Sequence, residues 1–121
     1  PVLQHADRLT LNDIAKRSKE LVEKARGRRL AAEELRGGTF TITNLGAMGI
    51  DAFTPVINLP QCAILGIGRI ARVPVVRNDQ VVPGDQLTLS LTFDHRIVDG
   101  APAARFLQEI ARLLENPKEL S

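Results

Sequence analysis

The chain has no tryptophan, no tyrosine, one cysteine and one methionine among its 121 residues. Each scarcity removes a class of function. Four phenylalanines are the whole aromatic content, so the stacking platform of single-strand nucleic-acid binders is missing. The lone cysteine, Cys62, cannot form a disulfide within the chain or build a cysteine-based zinc site. That usage fits a reducing compartment. No apolar run approaches the ~18 residues of a membrane helix. The first ten residues lack the charged-then-apolar order of a signal peptide. Met48 is the only methionine, so the chain is expected to start inside a longer polypeptide or to have been processed.

What is present is the composition of one globular domain. Hydrophobic residues make up 44% and the net charge is only +2, which argues against disorder. A chain of this length buries enough surface for a core. Charge is uneven: residues 1–36 hold nine Lys or Arg against six Asp or Glu. A basic segment can meet phosphates, but the acidic residues interleaved here favour a solvated helix face.

Periodicity divides the chain into elements. Residues 11–26 predict an amphipathic helix, with Leu11, Ile14, Leu21, Val22 and Ala25 on one face. Thr10 and Asp13 resemble a capping box, and Gly27 ends the run. A second short helix is expected over Ala31–Leu35, stopped by Gly37 and Gly38. Thr39–Asn44 alternates and reads as a strand. Cys62–Gly68 is a continuous apolar run, the pattern of a central strand, and its glycines suggest close backbone approach. Val73–Val82 predicts a hairpin turning at Asn78-Asp79. Leu87–Asp94 alternates strictly. Pro102 suits the first turn of a final helix with Phe106, Leu107, Ile110, Leu113 and Leu114 on its apolar face, stopped at Asn116-Pro117. Helices, then strands, then a helix indicate an α+β architecture.

The stretch richest in chemistry is Asp94-His95-Arg96-Ile97-Val98-Asp99-Gly100. Alternation puts His95 on the face of Leu89, Leu91 and Phe93, at or just past the strand end, and predicts a partly desolvated imidazole. Desolvation favours the neutral, basic form. An ordinary imidazole titrates near about 6.5 and a thiol near about 8.5, so proton exchange between the two is feasible near neutrality. Asp99 either orders the turn or pairs with His95. The spacing alone is more simply that of a satisfied strand-end histidine and a turn aspartate.

The whole heptapeptide resembles the His-x-x-x-Asp-Gly signature of the dihydrolipoamide acyltransferases, the core subunits of 2-oxo acid dehydrogenase complexes. Chloramphenicol acetyltransferase shares the shorter signature. Gly37–Gly46 is similar to the family's stretch before its active-site loop. Pro55–Gly68 resembles its central strand and the approach to it, and Pro1–Leu11 the segment leading into its mid-domain helix. The resemblance runs along essentially the whole chain, in order.

What it implies is acyl transfer between two thiols, the dihydrolipoyl arm of a lipoyl domain and coenzyme A, with no metal. His95 takes the family's general-base position. Thr43 falls where the family places a Ser or Thr hydroxyl, suited to stabilise the tetrahedral oxyanion. Asp99 matches the motif acid, with a structural role in positioning His95; Asp94 and Arg96 are motif members without an assigned role. The implied fold is the chloramphenicol acetyltransferase-like two-layer arrangement, a mixed sheet with packed helices. The implied assembly is a homotrimer within a cubic or icosahedral core, with a pocket between subunits so that His95 and Thr43 of one chain need not meet. The ring must then lie in a cleft, neither bare to solvent nor wedged among aliphatic groups. The implied partners are the lipoyl domain and the decarboxylase and dihydrolipoamide dehydrogenase subunits, with no nucleic acid and no membrane. The implied compartment is the bacterial cytoplasm or the mitochondrial matrix.

Residues 1–121 resemble only the C-terminal part of the family's catalytic domain, without its lipoyl and peripheral-subunit-binding domains. The alternative reading is therefore a catalytically silent piece that keeps the oligomer-forming surface. A small-molecule acetyltransferase is a weaker one. Other residues have simpler readings. His5 and Asp7 lack a third metal ligand nearby. Cys62 reads as a small core residue. Gly66-Ile67-Gly68 lacks the rest of a dinucleotide fingerprint. Met48 either lines a pocket or fills space.

Overall fold

Thr10 starts the first helix as its sequence predicts. In the computed structural model, which describes residues 1–120, helix α1 spans Leu11–Arg26. The Thr10 hydroxyl oxygen accepts from the Asp13 backbone N–H at 3.2 Å and the hydroxyl donates to the Asp13 carboxylate at 2.7 Å. The first bond satisfies one of the N–H donors that every helix start leaves orphaned. The second holds the Asp13 carboxyl below its ordinary range. Ile14, Ser18, Leu21 and Ala25 form the half-buried face, while Leu11 and Val22 are exposed. The second predicted helix is a single 3-10 turn, Ala32–Leu35. A segment of five residues is too short to offset the cost of nucleating an α-helix. Lys24 and the Ala31 N–H both bond Glu34, tying this turn to α1.

The chain forms two compact units: residues 1–39 with those from 112 onward, and residues 40–111. The second unit carries the sheet. Strands β1 (Thr41–Asn44), β2 (Ala63–Ile67) and β5 (Leu89–Phe93) form a mixed three-stranded sheet in the order β1-β2-β5. β1 is parallel to β2 and β5 antiparallel to it. The apolar run that predicted a central strand thus lies at the centre, and Ala63, Ile64 and Leu65 are buried. Register puts Thr43, Gly66 and Ser90 in one row across the sheet, and Ile42, Leu65 and Leu91 in the next. Adjacent rows face opposite ways.

Alternation puts the threonines of β1 on one face and Phe40 and Ile42 on the other, and the threonine face is the covered one. Ile42 is exposed, whereas Thr41 and Thr43 are half-buried. The threonine face is covered by the segment that follows β1: a Cβ built on Gly66 would meet the Phe53 ring at 3.0 Å and Pro55 at 3.3 Å. Thr41 is satisfied there by donating to the Gln61 side-chain carbonyl at 2.6 Å. Gly68 allows a still closer approach, since any Cβ would collide with the Asp51 carbonyl. The glycines of the central run are therefore dictated by close cover, side-chain at Gly66 and backbone at Gly68.

Strands β3 (Ala71–Arg77) and β4 (Gln80–Gln86) form a separate hairpin. Asn78 and Asp79 both have positive φ, 50° and 59°, the conformation that a two-residue I′ turn demands. Helix α2 spans Gly100–Glu115, with Ala103 buried and Leu107 and Ile110 half-buried. Phe106 is largely exposed but meets Phe40 edge-on, ring centroids 5.8 Å apart. α2 ends before Asn116, as expected. Among the described residues no helix is long and apolar enough to cross a membrane.

Candidate active site

The candidate site grows from the end of β5. After Phe93 the backbone leaves the sheet. The Asp94 N–H makes a last bond to the Cys62 carbonyl at 2.8 Å, and the Asp94 carbonyl accepts from Ile97 and Val98, both at 3.0 Å. Residues 94–98 thus form a tight turn anchored on the start of β2. Asp99 then opens α2, its carbonyl accepting the Ala103 N–H at 3.2 Å.

Asp94 organises this turn. One carboxylate oxygen accepts the Arg96 backbone N–H at 3.0 Å. The Arg96 guanidinium clamps both oxygens, through Nε at 2.9 and 3.2 Å and Nη2 at 2.6 Å. The Asp94 side chain is only 16% exposed and that of Arg96 85%. The guanidinium bonds, then the backbone N–H, pull the Asp94 carboxyl down to about 2 from its ordinary 3.8. Sequence reasoning left this pair without a role. A signal existed: aspartate commonly bonds the backbone two residues on. Asn44 does the same at the end of β1, accepting the Gly46 N–H at 2.8 Å.

The sign of the Asp94 shift gives a pH prediction. A carboxyl whose folded value is depressed stabilises the fold fully above its unfolded value, here about 3.8, and loses that contribution as pH falls through about 2. Asp94→Asn removes the charge at nearly constant shape. The stability gap between wild type and variant is expected to be largest near neutral pH and to close towards pH ~2 in acid titrations followed by circular dichroism. A gap of the same size at both ends would show that ionisation does not hold the turn.

His95 projects from this turn. Its ring lies 5.7 Å from the Phe93 ring, centroid to centroid. Nδ1 stands 4.0 Å from Asp99 Oδ1, in ion-pair range but too long for a hydrogen bond. The side chains of His95 and Asp99 are 71% and 86% exposed. The expectation of a partly desolvated ring therefore fails within one chain. β5 ends at Phe93, so alternation stops applying two residues before the ring and the turn swings it outward. The cleft that the acyltransferase resemblance requires is not formed around His95 by the described residues of this chain. Gly100 is likewise open: a Cβ there would meet nothing within 4 Å.

Thr43 is half-buried on β1, opposite Gly66 and, through it, Ser90. Its hydroxyl has no hydrogen-bond partner among the described residues, unlike that of Thr41. The structure does not bring Thr43 to His95. Thr43 lies level with Gly66, while β5 passes Ala63 at Phe93 before reaching His95. Of the remaining candidates, Cys62 is half-buried and Met48 is exposed, so Met48 fills no space inside the chain. No group of three or more His, Cys, Asp or Glu among the described residues is placed to hold a metal ion.

Comparison with known proteins is consistent along the chain. The family described as 2-oxoacid dehydrogenases acyltransferase (catalytic domain) matches residues 1–121. The dihydrolipoyllysine-residue acetyltransferase component of the acetoin cleaving system of Bacillus subtilis is 49% identical over 120 residues, covering 99% of this chain and 30% of that protein. The corresponding component of a Staphylococcus epidermidis pyruvate dehydrogenase complex is also 49% identical, with 28% of its length covered. The chain thus spans under a third of these curated relatives. A probable dihydrolipoamide acetyltransferase from Listeria monocytogenes superposes with a TM-score of 0.92 at 39% identity, covering 96% of this chain and 50% of that one. An Azotobacter vinelandii dihydrolipoamide acetyltransferase superposes with a TM-score of 0.93 at 40% identity, covering 99% and 49%. The crystallographic and enzymatic work on that protein concerns the role of a serine, a histidine and an asparagine in its catalytic mechanism, the serine 52 residues before the histidine and the asparagine four after it.

Proposed function

Because the chain belongs to the 2-oxoacid dehydrogenase acyltransferase family, we propose that it carries part of an active site moving an acyl group between dihydrolipoamide and coenzyme A. One observation carries the residue assignment. Thr43 precedes His95 by 52 residues and Asp99 follows it by four, the spacings of the serine, histidine and asparagine in the Azotobacter relative. A hydroxyl is kept at the first position, the imidazole at the second, and a carboxylate replaces the amide at the third.

The chemistry proceeds with the atoms in balance. His95 takes the proton from the coenzyme A thiol. The thiolate sulfur attacks the carbonyl carbon of the acyl-dihydrolipoyl thioester and a tetrahedral oxyanion forms. The Thr43 hydroxyl donates to that oxyanion. Collapse breaks the bond to the dihydrolipoyl sulfur, which takes the proton back from His95. Asp99, within 4.0 Å of Nδ1, favours one ring orientation. The two reacting residues come from different protomers of a homotrimer, His95 from one and Thr43 from its neighbour. That arrangement accounts for three facts: the open ring, the distant threonine with an uncommitted hydroxyl, and a glycine at position 100 that nothing in the chain requires. The neighbour supplies the wall that one chain lacks.

The test is direct. The full-length protein is mixed with dihydrolipoamide and acetyl-coenzyme A, and formation of acetyl-dihydrolipoamide is followed. Transfer is expected; its absence from an assembled protein overturns the proposal. A second reading has one observation behind it: the chain spans about half of the solved relatives, so it could serve assembly alone. A protein that assembles but transfers no acyl group would support that reading, and transfer abolished by His95→Ala would reject it.

A further inference from the structure

We infer that Arg96 is a positioning residue, whose guanidinium fixes Asp94 and through it the turn that presents His95. The inference rests on the acyl-transfer reading of His95. Its geometry is unusual for an exposed ion pair. Pairs of solvated side chains contribute little, because two long chains must be held in one place. Here one partner is already held: the Asp94 side chain is 16% exposed, its backbone N–H bonds Cys62 just before β2, and its carboxylate accepts the N–H at position 96. Only the guanidinium gives up freedom, and its planar fork matches both carboxylate oxygens.

The consequence falls on His95 because that residue lies between the clamp's two ends. Among the described residues the ring meets the Phe93 ring at 5.7 Å and Asp99 at 4.0 Å, and neither makes a hydrogen bond to it. Its backbone must therefore define its place. The backbone is set on one side by the Asp94 bond to Cys62 and on the other by the bonds from Arg96, Ile97 and Val98 to Asp94. Every one of them passes through Asp94. A general base misplaced by about 1 Å loses up to about 100-fold in rate, so order in this turn is read directly in turnover.

The experiment compares wild type with Arg96→Ala and Arg96→Lys in the full-length protein. Arg96→Ala keeps the backbone N–H to Asp94 and removes only the fork. Two readouts are taken: steady-state kinetics for coenzyme A, and hydrogen exchange of the peptide covering residues 94–98. The expected result is a kcat lower by roughly 10- to 100-fold, a KM for coenzyme A within about twofold of wild type, and faster exchange in that peptide. Arg96→Lys restores charge without the fork and is expected to stay impaired in both readouts. Exchange unchanged in Arg96→Ala overturns the clamp. So does a raised KM with kcat preserved, which would make Arg96 a contact to the coenzyme A phosphates. Full recovery in Arg96→Lys also overturns it, since charge alone would then suffice. If exchange quickens while His95→Ala proves fully active, the clamp stands as structure and the base assignment falls; the two failures are distinguishable.

Discussion

Replacing His95 with alanine in the full-length protein is expected to slow acyl transfer roughly 10²- to 10⁴-fold, the usual contribution of a positioned acid–base group. In energy that is a barrier higher by about 3–5 kcal/mol. The loss should fall on kcat, because a general base handles the proton only as the thiol attacks. Assembly should persist. The side chain is 71% exposed and makes no hydrogen bond that holds the sheet or α2 in place, and substitutions at such sites seldom move stability by more than about 0.5 kcal/mol. Sedimentation alongside the transfer assay separates the two effects. Most of the activity surviving in a normally assembled variant would remove His95 as the base. Asp99→Ala offers a graded comparison. At 4.0 Å from Nδ1 the carboxylate biases the ring without binding it, so its loss should cost less than the loss of the ring.

The parts of this molecule that the sequence made legible are those set by neighbours along the chain. α1 could be bounded at both ends because Thr10, Asp13 and Gly27 act within a turn of where they stand. The hairpin could be placed because Asn78 and Asp79 tolerate the positive φ that a two-residue turn requires. β2 declared itself central through an unbroken apolar run. What depends on distant cover was out of reach of patterning. The alternation of β1 separates its threonines from Phe40 and Ile42 without saying which face is covered; Ile42 is exposed, because the segment carrying Phe53 and Pro55 folds over the threonine-bearing face. His95 was expected to be partly desolvated, because alternation was carried past Phe93 into a turn where it no longer applies. The Asp94–Arg96 clamp lay within reach of local rules, since an aspartate bonding two residues on is a common turn device. What those rules do not supply is the bidentate guanidinium, which requires the turn first to bring Arg96 back over the carboxylate.

Thr43→Ala is expected to reduce kcat roughly 10²- to 10³-fold, the cost of one lost oxyanion donor, about 3–4 kcal/mol. The effect should fall on turnover with little change in KM, because the oxyanion exists only once the carbonyl has been attacked. Thr43→Ser, which keeps the hydroxyl, should retain most of the rate. Thr43→Val, which keeps the volume of a half-buried strand residue and loses the donor, should behave like alanine. If alanine and wild type turn over equally, Thr43 is a strand threonine like Thr41 and no more. The same pair of variants tests the shared cleft. Subunits carrying only His95→Ala and subunits carrying only Thr43→Ala are each expected to be nearly inactive alone. In trimers assembled from an equal mixture, a site formed across a head-to-tail interface regains both groups whenever a Thr43 variant supplies the histidine and a His95 variant the hydroxyl. Random mixing does this at about one site in four. Recovery to about a quarter of wild-type activity is therefore expected. Were both residues drawn from one chain, no mixture could restore a site. The register of the sheet already argues against that, since it keeps Thr43 level with Gly66 and carries His95 beyond Ala63.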